Sequence, residues 1–283
     1  MTARLSLIIP AHNESAVIDR ILGALTSQCR RGDLEIVVVA NGCTDDTVAR
    51  ASAYQGVRVV EVPTASKIAA LNAGDAAATV FPRVYVDADV VMSADALFAL
   101  ADVLGSEGIG VASPTLVVDC SHASWAVRQH YKIWNITDYR SSGHIGSGVY
   151  GLSQEGRARF DMWPEVIADD RFVQQLFLPT ERATLTDHSF TVRSAADIRS
   201  HIRRSVRVAR GNQELPAASQ HAAAADGSTH VNLVKRVVKR PTLWVPFAVY
   251  SVCWVVPNVL ARRSIIRKST QTWNRDETSR VVA

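Results

Sequence analysis

The first hundred residues alternate between two periodicities, and this alternation limits the possible folds more than any other feature. Residues 5–9 form a short apolar strand, and residues 14–28 read as a helix. Val17, Ile21, Leu22 and Leu25 share one face of that helix, with Asn13 or Ser15 available as its cap. Residues 34–39, rich in β-branched side chains, suit a strand buried on both faces. A helical stretch over 44–54, a strand over 57–62, an Ala-rich helix over 66–78 and a strand over 83–86 follow. Ser93 then caps a helix running to Leu104. Strand and helix at this spacing predict right-handed crossovers and an α/β fold with a Rossmann-like, mainly parallel sheet flanked by helices.

Ligands of such sheets bind beyond the carboxyl ends of the strands, and the polar clusters fall there. The first strand runs into Pro10, Ala11, His12, Asn13 and Glu14. The second runs into Asn41, Gly42, Cys43, Thr44, Asp45 and Asp46, and the fourth into Asp87, Ala88 and Asp89. Asp87 and Asp89 are two residues apart at a strand end, where alternation lets side chains of the same parity converge. Their carboxylates suit a hard divalent ion, Mg2+ or Mn2+, that also binds phosphate oxygens. Lys67 opens its helix against the macrodipole, so its placement calls for another reason: an anionic diphosphate is one, and snorkelling into solvent is the alternative. Asp169 and Asp170 precede an apolar helix, where they serve either as caps or as a general base. Gly143, His144, Ile145, Gly146, Ser147 and Gly148 form a glycine-rich run that lacks the Lys-Ser/Thr ending of a P-loop. Glycines in a strand imply that a ligand or another backbone comes close. Trp125, Tyr131, Trp134 and Tyr139 are spaced for a helix that buries an aromatic face in the core.

Charge divides the chain. Residues 1–198 carry 16 basic and 23 acidic side chains, net −7. Residues 199–283 carry 15 basic and 4 acidic, net +11. The residues from 243 to 261 include no charged side chain, yet Lys235, Arg236, Lys239 and Arg240 precede them and Arg262, Arg263, Arg267 and Lys268 follow. That apolar stretch would span roughly 28 Å as a helix. It predicts membrane embedding, spanning or interfacial, with an apolar helix packed on the body as the alternative. Pro246, Pro257 and Asn258 count against a simple spanning helix. The basic residues lack the aromatic interleaving of a nucleic-acid surface, so no nucleic acid is expected. Four cysteines without a CxxC pair, and an opening apolar run too short for a leader, point to a reducing, cytoplasmic setting for the first part.

These motifs together resemble the inverting family-2 glycosyltransferases, which have the GT-A fold, and the likeness covers about residues 4–211. The opening Leu7 to Glu14 is similar to that family's first strand and nucleotide-contacting turn. Asn41 to Thr47 is similar to its acidic DGSTD segment, and Lys67 with Leu71, Asn72, Ala73 and Gly74 to its K-x-x-A-L-N-x-G stretch. Asp87 and Asp89 match its DxD. Asp169 and Asp170 sit where the family has a Glu-Asp pair whose Asp is the base. Arg203 to Val208 is faintly similar to the Q-x-x-R-W element of processive members. Asn41 departs from the family's Asp, Val208 from its Trp, and no Gln opens that element, which argues against a processive polymerase.

The resemblance implies metal-dependent, inverting transfer of a sugar from a nucleotide-diphospho-sugar to a hydroxyl of a saccharide or lipid-linked acceptor, in cell-envelope glycan or glycolipid synthesis. Asp170 is the implied catalytic base. Pro10, Ala11, Asn13, Glu14, Asn41, Asp45, Lys67, Asp87, Ala88 and Asp89 are the implied donor site, with Asp89 and Asp87 holding the metal. His144, Gly146 and Asp169 are expected on the acceptor side. Three parts are expected: a catalytic domain over 1–211, a linker over 212–230, and a basic, apolar membrane-associating region over 231–283 at the cytoplasmic face. Two alternatives are polyprenyl phosphate as acceptor and a non-catalytic nucleotide-sugar-binding module. A sugar-nucleotide pyrophosphorylase would need glycines directly after the first strand, and residues 10–14 have none.

Overall fold

The computed structural model describes residues 3–137, 145–214 and 226–266. Eight strands form one sheet in the order β3-β2-β1-β4-β7-β6-β8-β5. The first four, β1 (Leu5–Ala11), β2 (Leu34–Asn41), β3 (Val57–Val62) and β4 (Arg83–Val86), are parallel. Helices α1 (Ile18–Gln28), α2 (Thr47–Ser52) and α3 (Lys67–Ala77) connect them. The other strands are β5 (Val91–Met92), β6 (Val111–Asp119), β7 (Val149–Leu152) and β8 (Arg182–Arg193). β7 joins the parallel half to the rest by pairing antiparallel with both β4 and β6. β6 and β8 pair in parallel through a register shift at Pro114/Thr115, and β5 closes the edge antiparallel to β8.

Every residue of β1 is buried, because the sheet is covered on both sides. Leu5, Leu7, Ile9 and Ala11 face α1 and α4 (Ala94–Leu104) in one core, while Ile8 joins α3, Tyr85, Trp163 and Val173 in the other. Burying one such side chain is worth roughly 1.5–3 kcal/mol, so a central strand without a polar face is strongly held. Ser66 caps α3 by accepting from the Ala69 amide, and Ser93 caps α4 by accepting from that of Ala96. The expected start of α1 differs. That helix begins at Ile18 after Val17, without a side-chain cap. The Asn13 side chain accepts instead from Thr44 N, and the Ser15 amide donates to Asp45, so both residues tie one loop to another.

The aromatic-face reading of α5 (Trp125–Trp134) is corrected. Trp125 is exposed, and the helix buries Val127, Gln129, His130 and Ile133. Tyr139 lies outside the described residues.

The short helices α6 (Gln154–Arg157) and α7 (Asp169–Gln175) lead to a C-terminal part that comprises α8 (Ile198–Glu214), α9 (Asp226–Val238), a short 3-10 turn at Pro241–Leu243 and α10 (Trp244–Ile266). Helix therefore occupies both ends of the segment read as a linker over 212–230. In α9, Leu233 and Val237, four apart on one face, pack with Ile133, Ile136, Phe247 and Tyr250. Helix α10 lies against α8 and α5. Pro246, Cys253, Pro257 and Ala261 form its buried stripe. Both prolines thus sit on the packed side. Trp244, Val245, Val252, Trp254, Val255 and Val259 are exposed on the remainder of the surface.

Candidate active site

The loops after β1 and β2 are bound to each other. Asn13 takes a left-handed conformation (φ 52°), and its Oδ1 accepts from the Thr44 amide at 2.7 Å. The Glu14 amide donates to Thr47 Oγ1 at 2.7 Å. Asp45 accepts from the amides of Ser15 and Thr47, each at 3.1 Å, and from Thr47 Oγ1. These bonds hold its carboxyl below the usual carboxylate range against the opposing effect of burial. Asp45 therefore braces the loop pair. Gly42 (φ 59°) passes so close to Ala65 that a Cβ would lie 2.8 Å from its amide nitrogen, which requires glycine there. Pro10, Ala11, Glu14, Asn41 and Ala88 are all buried. The Asn41 amide is fully enclosed, and neither Nδ2 nor Oδ1 has a hydrogen-bond partner among the described residues.

Asp87 and Asp89 do not lie in a strand. β4 ends at Val86, and the two aspartates occupy a turn closed by Val90 N donating to Asp87 O at 3.1 Å. Strand alternation thus does not orient them. The turn does, together with Asp87 N donating to Gly148 O at 2.8 Å. Both carboxylates sit at the rim, partly open to solvent. Two hard oxygen donors in one short turn are the chemistry Mg2+ or Mn2+ requires.

Lys67 joins this rim to the later acidic doublet. Its Nζ lies 2.9 Å from Asp87 Oδ1 and 3.0 Å from Asp169 Oδ1. Burial opposes the ammonium, but Asp169 and Asp87 outweigh it and raise its pKa. Asp169 is 4% exposed at the start of α7 (Asp169–Gln175), and its other oxygen accepts from the Tyr150 hydroxyl at 2.8 Å. Burial pushes Asp169 up, Lys67 pulls it down, and Asp170 and Asp87 push it up again; the net direction is upward. Tyr150 is raised by its enclosure and by the Asp169 charge.

Asp170 is placed by backbone. Its Oδ2 accepts from Ser147 N at 2.9 Å and its Oδ1 from Arg171 N at 2.7 Å. Gly146 (φ 110°) makes this possible, since a Cβ there would lie 2.7 Å from Asp170 Oδ2 and collide with its Cβ. Gly148 is left-handed too (φ 115°), but a Cβ there would lie 3.2 Å from Val90 and 3.6 Å from Asp87, so its backbone conformation more than its clearance calls for glycine. The group approaching the glycine-rich run is therefore the acidic doublet itself. Three distant segments, carrying Asp87, Lys67 and Asp169 with Asp170, are tied together by the Lys67 bridge. His144 lies outside the described residues.

Sequence reasoning missed the layer beneath. Asp75, on the helix that Lys67 opens, is buried and takes Arg83 at 2.9 Å, Arg157 at 2.7 Å, Tyr85 OH at 2.7 Å and Trp163 Nε1 at 2.7 Å. Tyr85 stacks on Tyr150 with ring centroids 5.2 Å apart, so the Asp75 hub supports the tyrosine that holds Asp169. Asn72 anchors the chain before α7 by accepting from Trp163 N at 2.9 Å. Gly74 lets α3 press against Ile8 and Val39 where a Cβ would overlap. In the strand-terminal run from Val149 to Leu152, a lone Tyr between apolar residues gave the only sign of Tyr150; Asp75 gave none.

Residues 6–159 match the family model for glycosyl transferase family 2. No curated protein matches the sequence. Among solved structures, the mannosyltransferase PcManGT from Pyrobaculum calidifontis, in complex with GDP-Man and Mn2+, is 21% identical. The match covers 96% of this chain and 77% of that one, with a TM-score of 0.61. TarS 1–349 of S. aureus, in complex with UDP, is 13% identical over 98% of this chain and 95% of that one, with a TM-score of 0.54. These likenesses show a shared GT-A fold. The family match spans more than half the chain and includes both the DxD turn and the Lys67 helix, and on that ground the chain belongs to glycosyl transferase family 2 and is a glycosyltransferase.

Proposed function

We propose that this enzyme transfers a sugar, with inversion, from a nucleotide-diphospho-sugar to a hydroxyl of a saccharide or lipid-linked acceptor at the cytoplasmic face of a membrane. The observation that carries the reading is the Lys67 bridge, which brings Asp87 of the proposed donor rim next to the Asp169–Asp170 pair. Asp170 is the base. Each of its oxygens accepts one backbone N–H, and each keeps a lone pair for an incoming hydroxyl proton. Asp169 and Gly146 place that carboxylate on the acceptor side. Asp87 and Asp89 would hold Mn2+ or Mg2+, whose charge favours departure of the nucleoside diphosphate. Lys67 keeps the two acidic groups in register and adds positive charge at the diphosphate end. The loops carrying Pro10, Ala11, Asn13, Glu14 and Asn41 line the nucleoside side, braced by Asp45; Ala88 backs the metal turn.

The membrane part rests on α10. A helix apolar all round is either fully enclosed or meets lipid, and this one is enclosed along one stripe only. At about 100° per residue, Trp244, Val252, Val255 and Val259 gather opposite Cys253, Pro257 and Ala261. An interfacial position with one face on the body therefore fits better than a span.

A thermal-shift screen of UDP- and GDP-sugars with Mn2+ tests the donor. A ligand at 100 times its Kd adds about 2.7 kcal/mol, and Asp89→Ala should remove the metal-dependent part of the shift. Asp170→Asn should keep donor binding and lose roughly 10²- to 10⁴-fold in transfer. The product anomer, read by NMR, should be opposite to the donor's. Near wild-type transfer by Asp170→Asn would instead mark an acceptor that is already an anion, such as a polyprenyl phosphate. A retained anomer would rule out inversion.

A further inference from the structure

On helices other than those that carry Lys67 and Asp170, three side chains with nitrogen and sulfur donors meet where α5, α8 and α10 join. They are His130, His201 and Cys253, and one ligand atom from each lies within 4.8 Å of the others. All three are at least nine-tenths buried, at 8%, 5% and 4% exposure. The surroundings are aromatic and apolar. Tyr250 stacks on the His130 ring at 5.2 Å, His201 lies 4.3 Å from it, and Tyr131 meets both imidazoles edge-on.

A helix junction this enclosed does not ordinarily hold two imidazoles. Buried polar atoms are nearly always hydrogen-bonded, yet His130 Nδ1 has no such partner among the described residues. Enclosure, reinforced by His201, pushes His130 down to about 3, so it is a neutral imidazole at any physiological pH. A neutral imidazole is the form that ligates a metal. Two imidazoles with one thiol form a borderline-soft donor set, the set that suits zinc and not the hard ions of a carboxylate site.

We propose that His130, His201 and Cys253 form a Zn2+ site that clamps α10 to the catalytic body. Zinc–ligand bonds of about 2.0–2.3 Å need the three donor atoms slightly closer than they stand, a movement within reach of side-chain rotation. On binding, the Cys253 thiol releases its proton to solvent and the thiolate ligates, while both imidazoles enter without losing one. Three protein ligands leave one coordination position for a solvent-derived ligand. The site is built on α5, α8 and α10, not on the α3 and α7 helices that carry Lys67 and Asp170, and no step of the proposed transfer reaction passes through it.

The test uses the full-length protein, stripped with chelator and dialysed into excess Mg2+ so that the carboxylate rim is occupied. Added Zn2+ should bind at one equivalent per chain and raise Tm. Co2+ in its place should give a thiolate-to-cobalt charge-transfer band that disappears in Cys253→Ser and persists in Cys43→Ser. If Cys253→Ser does not fold, alkylation of the wild-type chain followed by mass spectrometry decides: Zn2+ should protect Cys253 and leave Cys29 reactive. A folded wild-type protein that takes up no Zn2+ under these conditions, or in which Zn2+ leaves Cys253 alkylation unchanged, overturns the proposal.

Discussion

The Lys67 ammonium stands 3.0 Å from the carboxylate of Asp169, so a charge at the start of one helix is neutralised by a charge at the start of another. Each is costly alone. A cation opposes the dipole at the start of α3, and a carboxylate inside the core lacks water.

This pairing makes activity sensitive to acid. Burial raises Asp169 above an ordinary carboxylate, so as pH falls it takes up a proton before a solvent-exposed Asp would, at about 3.9. Protonation removes the charge that holds Lys67 across to Asp87. We expect kcat/KM to fall on the acid side with a midpoint above that value. Asp169→Asn should lower the plateau and shift this limb to lower pH, the proposed base remaining in place; an unaltered acid limb in the variant would assign it to another group.

Gly146→Ala should harm catalysis more than folding. The residue is in the left-handed region, and its new Cβ would press on Asp170. Backbone strain of about 1–3 kcal/mol and a displaced base should together lower kcat roughly 100-fold. Gly32→Ala is the control, because Gly32 has a similar φ of 96° and no heavy atom within 4 Å of the added carbon. It should lose some Tm and no kcat.

Asp75→Ala should be among the most destabilising substitutions in the chain. It would leave Arg83 and Arg157 buried without their shared carboxylate and Tyr85 and Trp163 without an acceptor. Breaking a buried ion pair from one side costs about 3–5 kcal/mol, or a Tm loss of roughly 10 °C for a chain of this size. A Tm within a degree or two of wild type would show that the hub contributes little.

Trp244→Glu with Val255→Glu should weaken binding to anionic vesicles and leave Tm unchanged, since both side chains are about half exposed and lie on the outer face of α10. Flanking Lys and Arg contribute about 1 kcal/mol each near such a surface, so binding should also weaken with salt. Undiminished sedimentation of the double variant with vesicles would end the interfacial reading.

The parallel half of the fold was legible because β1 and β2 are buried and read as near-continuous apolar runs, while β3, partly exposed at the sheet edge, is marked by its valines. The strands over Val57–Val62 and Arg83–Val86, and the Ser93 cap, appear at the expected residues. The other half was less legible. β8 pairs with β6 across a register shift and with β5 over two residues only, so no steady period of two marks them. In the proposed site, Asp87, Asp89, Lys67 and Asp170 stood out by residue type alone, and the Lys67 bridge from Asp87 to Asp169 is what the structure adds to them. The site was hidden where function depends on partners far along the chain. Asp75 meets Arg157 across 82 positions, and nothing near either residue announces the other. The start of α1 was misjudged for a related reason: Asn13 and Ser15 look like helix caps, but their bonds go to another loop.

The final helix is seated along α5 and α8, and its prolines face inward. On the proposed interfacial reading, a body seated in this way would not swivel on the surface as a tethered head would. The tilt of the whole body, and hence the height of Asp170 above that surface, would be built into one helix packing. An acceptor sugar carried too near or too far from its anchor would then be passed over on geometry alone, before any contact with its hydroxyls is made.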